Sequence, residues 1–115
     1  MRRLFLLLLL ATLSLSTPAF AQDFYGPVTL QNAATATGVG TALSSNRWPY
    51  TTIQVAITNT ATVLCQGSVD NTAWETLGTL TATGSCVTEA AWAYLRANIT
   101  VCTSCTVTAK VWMQR

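Results

Sequence analysis

The sequence contains no histidine. Without an imidazole side chain the protein cannot build a Ser-His-Asp or Cys-His nucleophilic site, or a metal centre with histidine ligands. No glycine-rich loop follows a predicted strand and opens a helix, so a nucleotide-binding site is not expected either. These absences exclude the commonest catalytic designs. We expect a protein that is not an enzyme and that uses no cofactor and no metal.

Carboxylates are also few. Beyond Asp23, the acidic residues are only Asp70, Glu75 and Glu89. A glycosidase uses two carboxylates, so Asp70 and Glu75 are the residues that a small hydrolase would need. The two residues flank one predicted turn, where an Asp caps backbone N–H groups and the Glu is a solvated strand residue. A carboxylate-based hydrolase is therefore the least favoured function.

Charge of either sign is low and balanced after the first 21 residues. The remaining chain carries four basic side chains, Arg47, Arg96, Lys110 and Arg115, against the same number of acidic ones. A net charge of zero gives the protein no electrostatic means of holding a phosphate backbone. Nucleic acid is not an expected partner.

The N-terminal segment has the pattern of a secretory signal peptide. Two arginines precede an apolar run from Leu4 to Leu15, and small residues end the segment at Ala19-Phe20-Ala21. This order is typical of a cleaved export signal. The run is shorter than the roughly 20 residues that span a bilayer, so stable membrane insertion is not expected. We predict a signal peptide at 1–21 and a single secreted domain at 22–115, located in the periplasm or outside the cell.

All the cysteines follow the predicted cleavage point, and their number is even. They are Cys65, Cys86, Cys102 and Cys105. Disulfides are the expected use of cysteine in a small exported protein. Three pairings are open, and the most local joins Cys102 to Cys105 and leaves Cys65 for Cys86. A zinc site made of the four thiolates is the alternative, which an oxidising compartment disfavours.

The mature chain is expected to form short strands separated by turns. Ile53, Val55 and Ile57 alternate with polar residues, which is the period of a half-buried strand. Asn59-Thr60 predicts a turn, and another strand follows at 62–69. The whole pattern favours an all-β fold, a small antiparallel β-sandwich of jelly-roll or Greek-key type with about seven to eight strands.

Residues 91–114 predict a terminal hairpin closed by a loop at Cys102–Cys105. Alternate apolar residues on both sides of the loop are expected to face the core. The opposite face then carries an aromatic and cationic stripe, in which Arg96 stacks on Trp112. Such a stripe suits a sugar ring or another protein chain, unless a second layer of the domain covers it. The candidate ligand-binding residues are Trp92, Tyr94, Arg96, Lys110 and Trp112.

Three stretches carry a resemblance to known proteins: Thr37–Leu43, Gly67–Leu77 and Tyr94–Thr100. Together they resemble small Thr-rich β-sandwich proteins found among bacteriophage virion-associated and tail-associated proteins and among secreted bacterial proteins. The chain departs from that group at Cys105, where a glycine commonly ends the last hairpin turn, and in its predicted signal peptide. The resemblance implies a structural or adhesive role on a virion or cell surface.

The favoured function is thus a non-catalytic exported module with a structural or adhesive role. A carbohydrate-binding module that uses the aromatic stripe is the alternative. The expected partners are protein, through self-association or contact with virion or cell-surface components, or glycan.

Overall fold

The computed structural model of the protein describes residues 24–45 and 48–115. These residues form strands, turns and bends; they contain no helix, and hence none that is long and apolar enough to cross a membrane. The predicted signal peptide lies outside the described residues. The strands are β1 (Phe24–Ala34), β2 (Leu43–Ser44), β3 (Tyr50–Ser68), β4 (Glu75–Leu80), β5 (Gly84–Thr88) and β6 (Tyr94–Gln114).

All six strands belong to one antiparallel sheet. Its hydrogen-bonded order is β1, β6, β3 and β4, with β2 also on β6 and β5 also on β3. The predicted all-β class is therefore confirmed. The predicted sandwich of two packed sheets is not confirmed, and neither is its jelly-roll or Greek-key topology.

Two strands are longer than the alternation predicts. β3 has 19 residues and β6 has 21, and they pair from Tyr50 opposite Gln114 to Ser68 opposite Tyr94. The sequence predicts a turn inside each of these strands. Counting each strand as two explains why about eight strands were expected where the described chain has six.

The first of these predicted turns is a β-bulge. The register shifts between Thr58 and Thr60, where Asn59 of β3 faces both Ser104 and Cys105 of β6. Asn59 and Ser104 have positive φ angles of 63° and 49°. Asn tolerates this left-handed conformation better than most residues. The Asn59 Nδ2 also donates a hydrogen bond to the carbonyl of Ser104, at 2.7 Å. The turn residue bends the strand without reversing the chain.

The predicted C-terminal hairpin is wrong. Leu95 and Met113, expected to face each other across that hairpin, lie opposite Gly67 and Thr51 of β3 instead. The Cys102–Cys105 disulfide closes the bulge rather than a hairpin loop. Alternation alone shows which residues share a face, and it does not show whether two segments are neighbouring strands or parts of one strand.

The outer strands are interrupted at the level of this bulge. β5 and β4 pair with β3 on either side of the bulge. In the gap between β5 and β4, the Thr83 Oγ1 accepts from the N–H of Ile57 at 2.9 Å and donates to the carbonyl of Ile57 at 3.2 Å. On the other edge, β1 and β2 pair with β6 on either side of its bulge. One line therefore divides the sheet into two halves. The β1/β5 half contains 50–58 and 106–114, and the β2/β4 half contains 60–68 and 94–103.

The sheet folds over along this line. Cys86 of β5 is paired with Ile53 of β3. Cys86 nevertheless forms a disulfide with Cys65 further along the same β3 strand, with 6.4 Å between the two Cα atoms. From Ile53 to Cys65 a straight strand would span roughly 40 Å. β3 must turn back on itself, so the inner faces of the two halves meet.

The core lies between the two halves. Gln31 of β1 is paired with Ala109 in one half, and its Nε2 donates to the carbonyl of Ala97 in the other half at 2.8 Å. Odd-numbered residues of β3 and β6 line this interior, and each fully buried aliphatic side chain contributes about 1.5–3 kcal/mol. Fully or almost fully buried are Ile53, Val55, Val63, Cys65, Leu95, Ala97, Ile99, Val107, Ala109, Val111 and Met113.

Candidate functional site

The even-numbered residues of β3 and β6 form the outer face of the sheet. The inner faces of the two halves meet around the core. The outer face therefore consists of two separate surfaces, one on each half. The predicted stripe residues lie on both of them: Lys110 and Trp112 on the β1/β5 half, and Tyr94 and Arg96 on the β2/β4 half. The single continuous stripe expected from a hairpin is therefore split.

On the β1/β5 half, Trp112 and Lys110 border a shallow depression of about 280 Å³. Lys110 lies opposite Gln54 and Trp112 opposite Thr52. An indole ring, an ammonium group and hydroxyl and amide groups thus come together on an open sheet surface. The depression is lined by Gln54, Val55, Ala56, Thr83, Thr108, Lys110 and Trp112.

The same surface carries aromatic residues that the sequence analysis did not include. Phe24 and Tyr50 both lie opposite Gln114, one step along the outer face from Trp112, and are 63% and 45% exposed. Val87, which is opposite Thr52, is 67% exposed. These apolar side chains are accessible. Alternation did not reveal them, because the register between β1, β6 and β3 is needed to place them together.

On the β2/β4 half, Arg96 is held by two contacts. Its guanidinium carbon lies 4.1 Å from the centroid of the Trp74 ring, and its Nε donates to Gln66 Oε1 at 2.7 Å. Arg96 was predicted to stack on Trp112, and this prediction is wrong. Arg96 pairs with Gln66 of β3, because β6 runs on as one strand instead of folding back beside itself. Trp74 and Gln66 are site residues that the sequence analysis missed.

Trp92 does not belong to either outer surface. It precedes β6, and its ring packs over Gly67, an inward-facing position of β3. Its Nε1 donates to Thr88 Oγ1 at 3.3 Å. Trp92 is half-buried against the edge of the core, where it contributes packing.

A third aromatic group lies where β1 begins and β6 ends. Tyr25 stacks on Trp48, with ring centroids 6.1 Å apart, and the Arg115 guanidinium carbon lies 4.8 Å from the Trp48 centroid. Trp48 also packs against the core. Trp48 is thus a packing residue at the edge of the core.

Asp70 organises the turn between β3 and β4. Its Oδ1 accepts from the N–H groups of Thr72 and Ala73, at 2.9 Å each, and from the hydroxyl of Ser68 at 3.1 Å. These bonds, that from Ala73 most strongly, lower the pKa of Asp70 below its ordinary value of 3.8. The predicted Asp turn is present. Glu75, its proposed catalytic partner, is exposed and lies opposite Gly67.

The structure pairs Cys65 with Cys86 and Cys102 with Cys105. In the described part of the chain, no three His, Cys, Asp or Glu side chains come together as metal ligands would.

Neither a protein family nor a curated protein matches the sequence. Among solved structures, the SPBc2 prophage-derived protein YomS is similar, with a TM-score of 0.74 and 13% identity over 87% of this chain and 100% of YomS. The PBSX exported protein XepA has a TM-score of 0.69 and 12% identity over 85% of this chain and 40% of XepA. At these identities the likeness concerns the fold alone. At that level, the predicted resemblance to phage-associated proteins is confirmed.

Proposed function

We propose that this protein is a non-catalytic exported module with a structural or adhesive role at a virion or cell surface. The observation that carries the proposal is the outer face of the β1/β5 half, where Phe24, Tyr50 and Val87 are exposed beside the half-buried Trp112 and form an apolar, aromatic surface. Exposed apolar patches of this kind are typical of contact surfaces. The shared fold with phage-derived proteins supports the phage association.

Export is the second part of the proposal. Two disulfides in a small protein suit an oxidising compartment. XepA is described as an exported protein, and the first 21 residues have the order of a signal peptide. N-terminal sequencing of the secreted protein checks this part, and we expect a mature chain that begins at Gln22.

Co-sedimentation of the purified mature protein with host cells and with phage particles tests the adhesive role. We expect binding that falls at least tenfold when Tyr50 and Trp112 are both replaced by alanine, because truncating aromatic anchors removes most of the energy of a contact surface. The matched control is Val69→Ala, which removes another exposed apolar side chain, at 65% exposure, on the β3–β4 turn. Light scattering shows whether the same surface drives self-association. A strict monomer that binds neither cells nor particles would contradict the proposal.

Carbohydrate binding is the second candidate function, and one observation favours it. The depression beside Trp112 places an indole ring next to Lys110, Gln54 and Thr108. Aromatic rings stack on sugars while polar groups bond to sugar hydroxyls. On an array of neutral glycans we expect a signal that Trp112→Ala abolishes. Absence of signal, or a signal unchanged in the variant, would count against this candidate.

A further inference from the structure

The guanidinium of Arg96 is fixed in place on the β2/β4 half. It lies over the ring of Trp74, and its Nε bonds to Gln66, whose side chain is itself only 7% exposed. The Gln66 Nε2 in turn lies 3.5 Å from Thr76 Oγ1. A guanidinium that is stacked and bonded in this way has already lost most of the freedom that a surface arginine retains. The two Nη groups form the other hydrogen-bonding edge of the guanidinium, and this edge therefore points in one fixed direction.

Within residues 24–45 and 48–115, the positions that surround Arg96 on its own face carry no acidic side chain. Tyr94 and Asn98 flank Arg96 along β6, and Gln66 and Thr76 follow it across the sheet. None of these side chains is an acid. Asp70 is bonded within its own turn. Glu75 lies opposite Gly67, which is an inward-facing position of β3, whereas Arg96 lies opposite Gln66 on the outer face.

A carboxylate is the anion that this arrangement suits. The two Nη groups of an arginine match the two oxygens of a planar carboxylate in a pair of parallel hydrogen bonds. On the same outer face, Tyr94 and Asn98 are the next outward positions of β6 on either side of Arg96, and Thr76 lies beyond Gln66 on β4; these residues carry hydroxyl and amide groups. Such groups bond to the hydroxyls of a sugar ring.

We propose that Arg96, seated on Trp74 and held by Gln66, binds the carboxylate of an acidic sugar. The site is distinct from the depression beside Trp112, which lies on the other half of the sheet. It deepens the adhesive role proposed above and rests on that role for its biological meaning. The ligand class is a uronic acid or another carboxylated sugar of a surface polysaccharide.

Isothermal titration of the mature, disulfide-bonded protein with trigalacturonate tests the site, with the neutral maltotriose and with triglutamate as the other ligands. We expect trigalacturonate to bind and the two others to bind at least tenfold more weakly. Arg96→Gln should weaken trigalacturonate binding by about tenfold or more, since a charge-assisted bidentate contact is lost. Arg96→Lys should weaken it by a smaller factor, because the charge stays while the fork is lost.

Arg115→Gln is the matched control, since it removes a cation that lies over Trp48 beyond the other end of β6 and should leave this binding unchanged. Thermal melting of each variant establishes that it is folded, and Arg96→Lys keeps the test decisive if Arg96→Gln does not fold. The site would be overturned if Arg96→Gln bound trigalacturonate as tightly as the unmodified protein, or if Arg115→Gln lost as much affinity as Arg96→Lys. Binding of triglutamate as tight as that of the uronide would overturn the sugar assignment. Failure of the Tyr50 and Trp112 cell-binding test leaves these titrations unaffected, so the two proposals fail separately.

Discussion

Gly67 shows how one residue decides the position of an aromatic ring. A Cβ atom at this position would lie between 2.5 and 2.9 Å from three carbons of the Trp92 indole. A large ring trapped between β3 and the segment before β6 cannot give way easily. We expect Gly67→Ala to lower the free energy of unfolding by about 1–3 kcal/mol, the usual cost of overpacking. Urea denaturation followed by tryptophan fluorescence measures this change.

Gly84→Ala is the control for that prediction. A Cβ atom there would meet only the end of the Leu80 side chain, at 3.3 Å, and the Ala82 carbonyl at 3.7 Å. The expected loss is well under 1 kcal/mol. If the two alanine variants were equally stable, the close packing of Trp92 on Gly67 would be contradicted.

Asp70 gives the protein an acid-sensitive turn. Its pKa lies below the ordinary value of 3.8 in the folded protein because three donors bond to the carboxylate. A carboxylate with a lowered folded pKa stabilises the fold above its unfolded pKa, and this stabilisation is lost as the pH falls through the folded value. We expect stability to decrease below about pH 4 and the decrease to be shallower in Asp70→Asn. Denaturant titrations at a series of pH values between pH 2 and pH 6 measure both slopes.

Glu89→Gln controls for the loss of one negative charge, since Glu89 is exposed and lies outside the β3–β4 turn. Its acid slope should match that of the unmodified protein. A slope in Asp70→Asn that is as steep as in Glu89→Gln would show that the turn makes no contribution to acid sensitivity.

At the scale of elements, the sequence located the segments that make up β3 and β6 but not how those segments continue into one another. Alternation located 62–69 and the segment after Tyr50 correctly, and the inward set of odd residues is the core that the structure contains. Asn59-Thr60 and Cys102–Cys105 carry the residues of turns, and the same residues also suit a bulge with positive φ. Only long-range pairing distinguishes the two, and that pairing lies between β3 and β6 rather than within either segment.

The candidate site was predicted in part for the same reason. Arg96, Lys110, Tyr94 and Trp112 all point outward, as alternation predicted. Their grouping depended on the hairpin register, so Arg96 was assigned to the wrong aromatic partner. Trp74 reaches Arg96 from the turn before β4, across a strand that the sequence does not place next to β6.

The bulge at Asn59 can be tested by separating its two contributions. Asn59→Gly keeps the positive φ of 63° accessible and removes the 2.7 Å bond to Ser104. We expect a loss of about 0.5–1.5 kcal/mol, the net value of one hydrogen bond. Asn59→Ala removes the bond and also adds the left-handed penalty of about 1–2 kcal/mol. Urea denaturation should therefore rank the alanine variant below the glycine variant. The reverse order would show that this strand does not need a left-handed residue at the bulge.

At the scale of the whole molecule, the fold depends on keeping two halves of one sheet in contact. Hydrogen bonds run along β3 and β6 through the bend, so the ladder itself does not hold the halves together. That contact comes from the shared core, from Gln31 reaching Ala97, and from the Cys65–Cys86 disulfide. The second disulfide, Cys102–Cys105, acts within the bend alone.

The two disulfides should therefore differ in what they stabilise. The Cys65–Cys86 disulfide, with a sequence separation of 21, lowers the entropy of the unfolded chain and so stabilises the fold by about 3 kcal/mol. The Cys102–Cys105 disulfide, with a separation of 3, contributes about 2 kcal/mol in the same way. We expect the double alanine variant at Cys65 and Cys86 to lose more, because it also removes the covalent link between the halves. Guanidinium denaturation without reductant measures both losses. Hydrogen exchange should show increased opening across the core in this variant, and only near 58–60 and 103–106 in the Cys102 and Cys105 variant. A larger loss from the Cys102–Cys105 pair would mean that the bend, rather than the contact between halves, limits the stability of the fold.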